Sequence, residues 1–121
     1  PDFTVYDAEG NEITLSALMD GKPTVLNFWA SWCGPCRSEM PHIQEAYERL
    51  GGEVSFVMIN MTDGQRETQE SAEEYMAESG WTFPIYFDLD YDAAMTYGAY
   101  SLPQTYFIDA EGRLALEHLQ D

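Results

Sequence analysis

The chain has 121 residues, enough for one domain with a single core, and 45% of them are hydrophobic, which argues against wholesale disorder. Twenty-two acidic side chains against five Lys and Arg give a formal charge of −17, which disfavours nucleic acid or an anionic membrane surface as a partner through a basic patch. No stretch is long and apolar enough to cross a bilayer as a helix. The chain opens on Pro1 with no signal peptide, as an excised or processed chain would.

Residues 3–6 and 12–14 flank a turn at 7–11 and read as a small hairpin. Residues 15–19 fit one helical turn, and Gly21-Lys22-Pro23 then resets the chain. An apolar run over 24–30 follows and reads as a buried strand, which Pro23 can open because the first strand position can forgo its N–H. Met40, Ile43, Ala46, Tyr47 and Leu50 recur at helical spacing, and Gly51-Gly52 is a good stop. Pro41 removes a hydrogen bond inside that helix, so a bend is expected there. Residues 54–60 are almost continuously apolar, the pattern of a strand buried on both faces. After a turn at 62–64, residues 65–79 read as an acid-rich surface helix with an apolar stripe of Ala72, Tyr75 and Met76, ended by Gly80. Its glutamates read as a solvated face.

A strand over 85–88, a short helix over 91–97 stopped at Gly98, a strand over 105–108 and a return strand over 113–117 complete the pattern. Strands that alternate with helices and close on a hairpin imply an α/β sandwich with a mixed sheet, one domain over 1–121. Too little chain follows the last hairpin to cover its face. The expectation is that the natural protein continues or that something else packs there.

Both cysteines lie in Trp32-Cys33-Gly34-Pro35-Cys36, where the first long strand hands over to the first long helix. The first helical turn leaves N–H groups unpaired and carries the positive end of the macrodipole. A thiolate at Cys33 would be stabilised by both, and its titration is expected below the ordinary thiol range. Cys36, one turn on, is expected to be more buried and less reactive. The pair has the layout of a nucleophile and a resolving thiol. A structural zinc needs four ligands, and only Cys33, Cys36, His42 and His118 offer sulfur or imidazole, at the wrong spacing. Covalent haem attachment wants a histidine directly after the second cysteine, where Arg37 stands. A purely structural disulfide would close a tiny loop and remove little unfolded-state entropy.

The stretch Phe28-Trp29-Ala30-Ser31-Trp32-Cys33-Gly34-Pro35-Cys36 resembles the thioredoxin superfamily. The leading hairpin, Gly21-Lys22-Pro23-Thr24-Val25-Leu26-Asn27, Cys36-Arg37-Ser38-Glu39-Met40-Pro41 and the extra helix and strand between Gln65 and Asp88 resemble its TlpA/ResA-like branch. Tyr97-Gly98-Ala99-Tyr100-Ser101-Leu102-Pro103-Gln104-Thr105-Tyr106-Phe107-Ile108-Asp109 is similar to the segment that carries the cis-proline of that family. The resemblance implies a thioredoxin-like fold: a mixed central sheet flanked by helices, an N-terminal hairpin, a helix–strand insert, and a C-terminal helix that is missing here.

It also implies roles. Cys33 would attack a target disulfide and Cys36 would resolve the mixed disulfide. Pro103 would be cis beside the cysteines, freeing the backbone of Leu102 to pair with an extended substrate. Without the family, Pro103 is an ordinary trans proline before a strand. Thioredoxins proper bury an aspartate where Asn27 stands, and Asn27 cannot titrate. TlpA/ResA-like proteins place a glutamate three residues after the second cysteine, and Glu39 matches; partial burial would raise its pKa toward that of a general base. Otherwise Glu39 is a solvated glutamate near a helix N-terminus. Trp32, Gly34 and Pro35 are expected beside Cys33 as an exposed apolar docking surface with Leu102 and Pro103.

The expected activity is a protein disulfide oxidoreductase acting as a reductant outside the cytoplasm, without a cofactor. Candidate substrates are apocytochrome c, methionine sulfoxide reductase and secreted proteins at large. The partners expected are a disulfide-bearing protein and an upstream thiol donor such as a membrane reductase, with no nucleic acid and a monomeric chain. A non-catalytic docking module of the same fold is the alternative. A peroxiredoxin is disfavoured, because the Thr-x-x-Cys pattern of a peroxidatic thiol is absent.

Overall fold

The computed structural model describes residues 2–116. Strand β1 (Thr4–Tyr6) pairs antiparallel with β2 (Glu12–Thr14). Asp7 closes their turn by accepting the N–H groups of Glu9 at 3.0 Å and Asn11 at 2.9 Å, and Gly10 takes φ +86° in it. Helix α1 (Leu15–Met19) starts on Thr14, whose hydroxyl caps the Ala17 N–H. Next come β3 (Thr24–Trp29), α2 (Gly34–Leu50), β4 (Ser55–Asn60), α3 (Gln69–Ser79), β5 (Ile85–Phe87), α4 (Asp92–Tyr97), β6 (Gln104–Ile108) and β7 (Leu114–Leu116). Helix α2 runs past Pro41, where the sequence predicts a bend, without a break.

The strands form one mixed sheet in the order β2-β1-β5-β4-β3-β6-β7. The central pairs β3–β4 and β4–β5 are parallel, and β6 runs antiparallel to β3. Successive side chains of a strand face opposite sides, and here both sides are covered. Leu26, Phe28, Val57 and Ile59 join a core cluster with Leu15 and Met19 of α1 and Ala93 of α4. Trp29 and Met58 join another with Cys36 and Met40 of α2 and Ala72 of α3. This double coverage is why β3 and β4 read as unbroken apolar runs.

Trp29 pairs in register with Asn60, so β3 and β4 end side by side. The segments leaving them, 30–33 and 61–68, therefore emerge together at the carboxyl edge of the sheet, where open α/β sheets place their sites. The C-terminal helix that the sequence reading declares missing, and Glu117 of the last predicted strand, lie outside the described residues.

Candidate active site

Between β3 and α2 the Cys33 N–H donates to the Ala30 carbonyl at 3.2 Å and closes a turn. Cys33 is the N-cap of α2, with φ −87° and ψ 109°. Its Sγ accepts the Cys36 N–H at 3.2 Å, the place where a serine or aspartate oxygen ordinarily sits. Gly34 and Pro35 open the helix, where the missing N–H of proline is no loss. The two sulfurs are joined in a disulfide with Cα atoms 5.2 Å apart. Cys33 is 4% exposed and Cys36 1%. The order matches the sequence expectation, but in this oxidised form Cys33 is itself nearly covered. Leu102 packs against the cluster that holds both cysteines with Trp29, Met40 and Phe87.

Trp32, Gly34 and Pro35 are exposed, as expected, while Leu102 and Pro103 are half-buried. The Leu102–Pro103 peptide bond is cis. A groove of about 360 Å3 opens beside the motif, with Trp32, Arg66, Tyr91, Met95, Tyr100 and Leu102 in its walls. Tyr91 holds φ +61°, a left-handed conformation uncommon for an aromatic residue, as the N-cap of α4. Two of the five cationic side chains stand on aromatic faces here: Arg66 lies 3.6 Å from the Trp32 ring centre and Arg37 lies 5.4 Å from that of Tyr75.

Glu39 is half-buried on the other flank of α2, in the wall of a cleft of about 700 Å3 shared with Thr24, Val25, His42 and Thr105. Thr105 Oγ1 accepts Nδ2 of Asn27 at 2.9 Å, while Asn27 Oδ1 is buried without a hydrogen-bond partner. The polar groups in and beside this cleft thus come from three elements: Glu39 of α2, Asn27 of β3 and Thr105 of β6.

One residue contradicts the sequence reading. Glu67, placed there on the solvated face of a helix, is 0% exposed. The helix does not start at Gln65. Thr68 is the N-cap and shares a reciprocal capping box with Ser71. Residues 63–67 wind instead around Asp63, whose carboxylate accepts the N–H groups of Gln65 at 2.9 Å and Glu67 at 3.0 Å. The Gln65 N–H leads in holding that carboxyl below its ordinary range. Thr68 was the available signal: a threonine followed by a glutamate in the next turn is a helix start.

Residues 1–116 match the AhpC/TSA family. The chain belongs to that family. Within the AhpC/TSA family it is similar to the thiol-disulfide oxidoreductase ResA of Geobacillus thermodenitrificans, 36% identical over 117 residues that make up 94% of this chain and 63% of that protein. This chain therefore spans less than two thirds of that relative. Among solved structures it is similar to StoA from Bacillus subtilis, with a TM-score of 0.81 and 26% identity over 98% of this chain and 87% of that one. It is also similar to the exposed lipoprotein thioredoxin of Streptococcus pneumoniae, with a TM-score of 0.77 and 28% identity over 100% and 90%. The thioredoxin-like fold and the ResA-like resemblance expected from the sequence stand.

Proposed function

We propose that this chain is a thiol–disulfide oxidoreductase that reduces protein disulfides outside the cytoplasm. In the reduced form the Cys33 thiolate attacks one sulfur of a target disulfide, forming a mixed disulfide and releasing the other target sulfur as a thiolate. Cys36, deprotonated, then attacks the Cys33 sulfur and releases the second target thiolate. Two electrons pass to the target, two protons complete its thiols, and Cys33 and Cys36 end as a disulfide. A thiol donor, such as a membrane reductase, restores the dithiol.

One observation carries this reading. Cys33 Sγ sits at the N-cap of α2 on the Cys36 N–H, with Cys36 bonded behind it and a groove of exposed aromatic side chains alongside. The helix N-terminus favours sulfur as an anion, both as attacking group and as leaving group. Trp32, Gly34, Pro35, Leu102 and Pro103 form the surface on which a substrate segment docks. Glu39 serves as the proton-transfer group for Cys36, because the amide of Asn27 does not titrate. Apocytochrome c, methionine sulfoxide reductase and secreted proteins are the candidate substrates. A location outside the cytoplasm is supported by the pneumococcal relative, described as an exposed lipoprotein. The Gly34-Pro35 pair leads us to expect a potential nearer about −270 mV than about −120 mV.

Cys36→Ser tests the reading, because it leaves the first attack intact and removes the second. Mass spectrometry of the variant should find Cys33 joined to a target cysteine, and Cys33→Ser should abolish insulin reduction. An unaltered chain that reduces no disulfide with any thiol donor would overturn the reading.

A further inference from the structure

A carboxylate is almost never fully buried without a compensating partner. Glu67 is fully buried, and no ion pair involves it among the described residues. Hydrogen-bond donors compensate it instead. Oε2 accepts the Ser31 N–H at 2.6 Å and Asn60 Nδ2 at 2.6 Å. Oε1 accepts the hydroxyls of Ser31 at 2.5 Å and Ser71 at 2.8 Å. One side chain thus ties together the turn that leads into Cys33, the end of β4 and the first turn of α3. Its own backbone is held by the Asp63 turn and by the Gly64 N–H on its carbonyl at 2.8 Å. The residue before it, Arg66, lies over Trp32. Segment 63–71 therefore grips both residues that precede Cys33.

We propose that Glu67 is a positioning residue for Cys33. Its carboxylate fixes the Ser31–Trp32 turn, and that turn aims the Cys33 sulfur at the Cys36 N–H. This inference rests on the oxidoreductase reading for its use but not for its test. The chemistry of the four donors separates position from charge. A glutamine at 67 keeps an oxygen for the Ser31 and Asn60 N–H groups and turns its NH2 toward two serine hydroxyls, which can rotate to accept. Glu67→Gln therefore keeps the tie and loses the charge, whereas Glu67→Ala loses the tie and strands the donors.

The experiment is the rate of Cys33 alkylation by iodoacetamide in the reduced full chain at neutral pH, read by mass spectrometry, with urea stability measured alongside. Glu67→Ala should slow alkylation about tenfold or more, the scale of an unsatisfied buried donor, while Glu67→Gln retains most of the rate. In insulin turnover the Ala variant should lose kcat with KM little changed. If the Ala variant does not fold, Ser31→Ala removes one of the donors alone; it should slow alkylation, by less. Equal rates for Gln and Ala would assign the effect to charge or to general destabilisation and overturn the proposal. So would a rate left unchanged by Ser31→Ala or Glu67→Ala while stability falls, or a rate that rises. Alkylation reads the sulfur itself, so a chain that reduces no protein disulfide would sink the oxidoreductase reading while the alkylation rates still decide this one.

Discussion

Asn27→Asp asks how dry the middle of β3 is. Asn27 is 1% exposed in the middle of β3, paired in register with Met58 on one side and Thr105 on the other. The substitution keeps the shape and adds a titratable group. Burial disfavours its charged form and raises a fully buried carboxyl by up to roughly 3–5 units. The sign follows. Below about 3.9, the unfolded value, the group is protonated in both states and costs nothing on this account. As pH rises further, the unfolded chain ionises first. The folded state then loses about 1.4 kcal/mol per pH unit until its own raised value is reached. For a folded value near about 7 the loss levels off at roughly 4 kcal/mol, a large part of the ~5–15 kcal/mol that holds a domain together. The Thr105 hydroxyl can turn to donate and offset part of it. The assay is urea unfolding of both proteins from about pH 4 to about pH 8, taken as a difference so that the shared acids cancel. A difference that stays flat across that range, or stays below about 1 kcal/mol at the alkaline end, would refute the claim that β3 is desolvated at this position.

Four further outcomes are expected. Arg66→Ala should cost about 0.5–1 kcal/mol, because the stack it removes lies over a Trp32 ring that is 42% exposed; urea melts read the loss. Thr68→Ala should cost about 1 kcal/mol by removing the cap of α3, with Thr68→Gly closer to wild type; thermal melts separate the two. Leu26→Ala empties a fully buried position beside Phe28 and Val57 and should cost about 2–5 kcal/mol by chemical denaturation. The lowered Asp63 carboxyl contributes stability that is complete above its unfolded value, near about 3.9, and lost as pH falls through its folded value. The stability gap between wild type and Asp63→Asn should therefore hold steady at neutral pH and shrink in acid; a gap that widened in acid would reverse the sign of this argument.

The sites that escaped the sequence are those where a side chain answers to a distant segment. Periodicity places Glu67 on a helix face and composition makes that face solvated. Neither knows that 63–68 leaves β4 next to the point where 30–33 leaves β3. Once those strands are neighbours, the donors of Ser31 and Asn60 converge on one point, and the Glu67 side chain fills it. The stack of Arg66 on Trp32 has the same origin, joining residues far apart in the chain through strand order alone. Glu39 entered as a candidate only through family resemblance. That it lines the same cleft as Thr105, the hydrogen-bond partner of Asn27, was not legible.

By itself the sequence determined the order of strands and helices, because hydrophobic period 2, period 3.6 and unbroken runs are local properties. It also determined that Cys33 stands where β3 hands over to the next helix, since strand, motif and helix are contiguous. The tertiary structure alone decided which strand ends lie together, and hence how nearly Cys33 is covered in the disulfide form, where the groove beside Trp32 runs and why Glu67 is inside. Those outcomes depend on sheet order and register, which are set by burial summed over the whole chain.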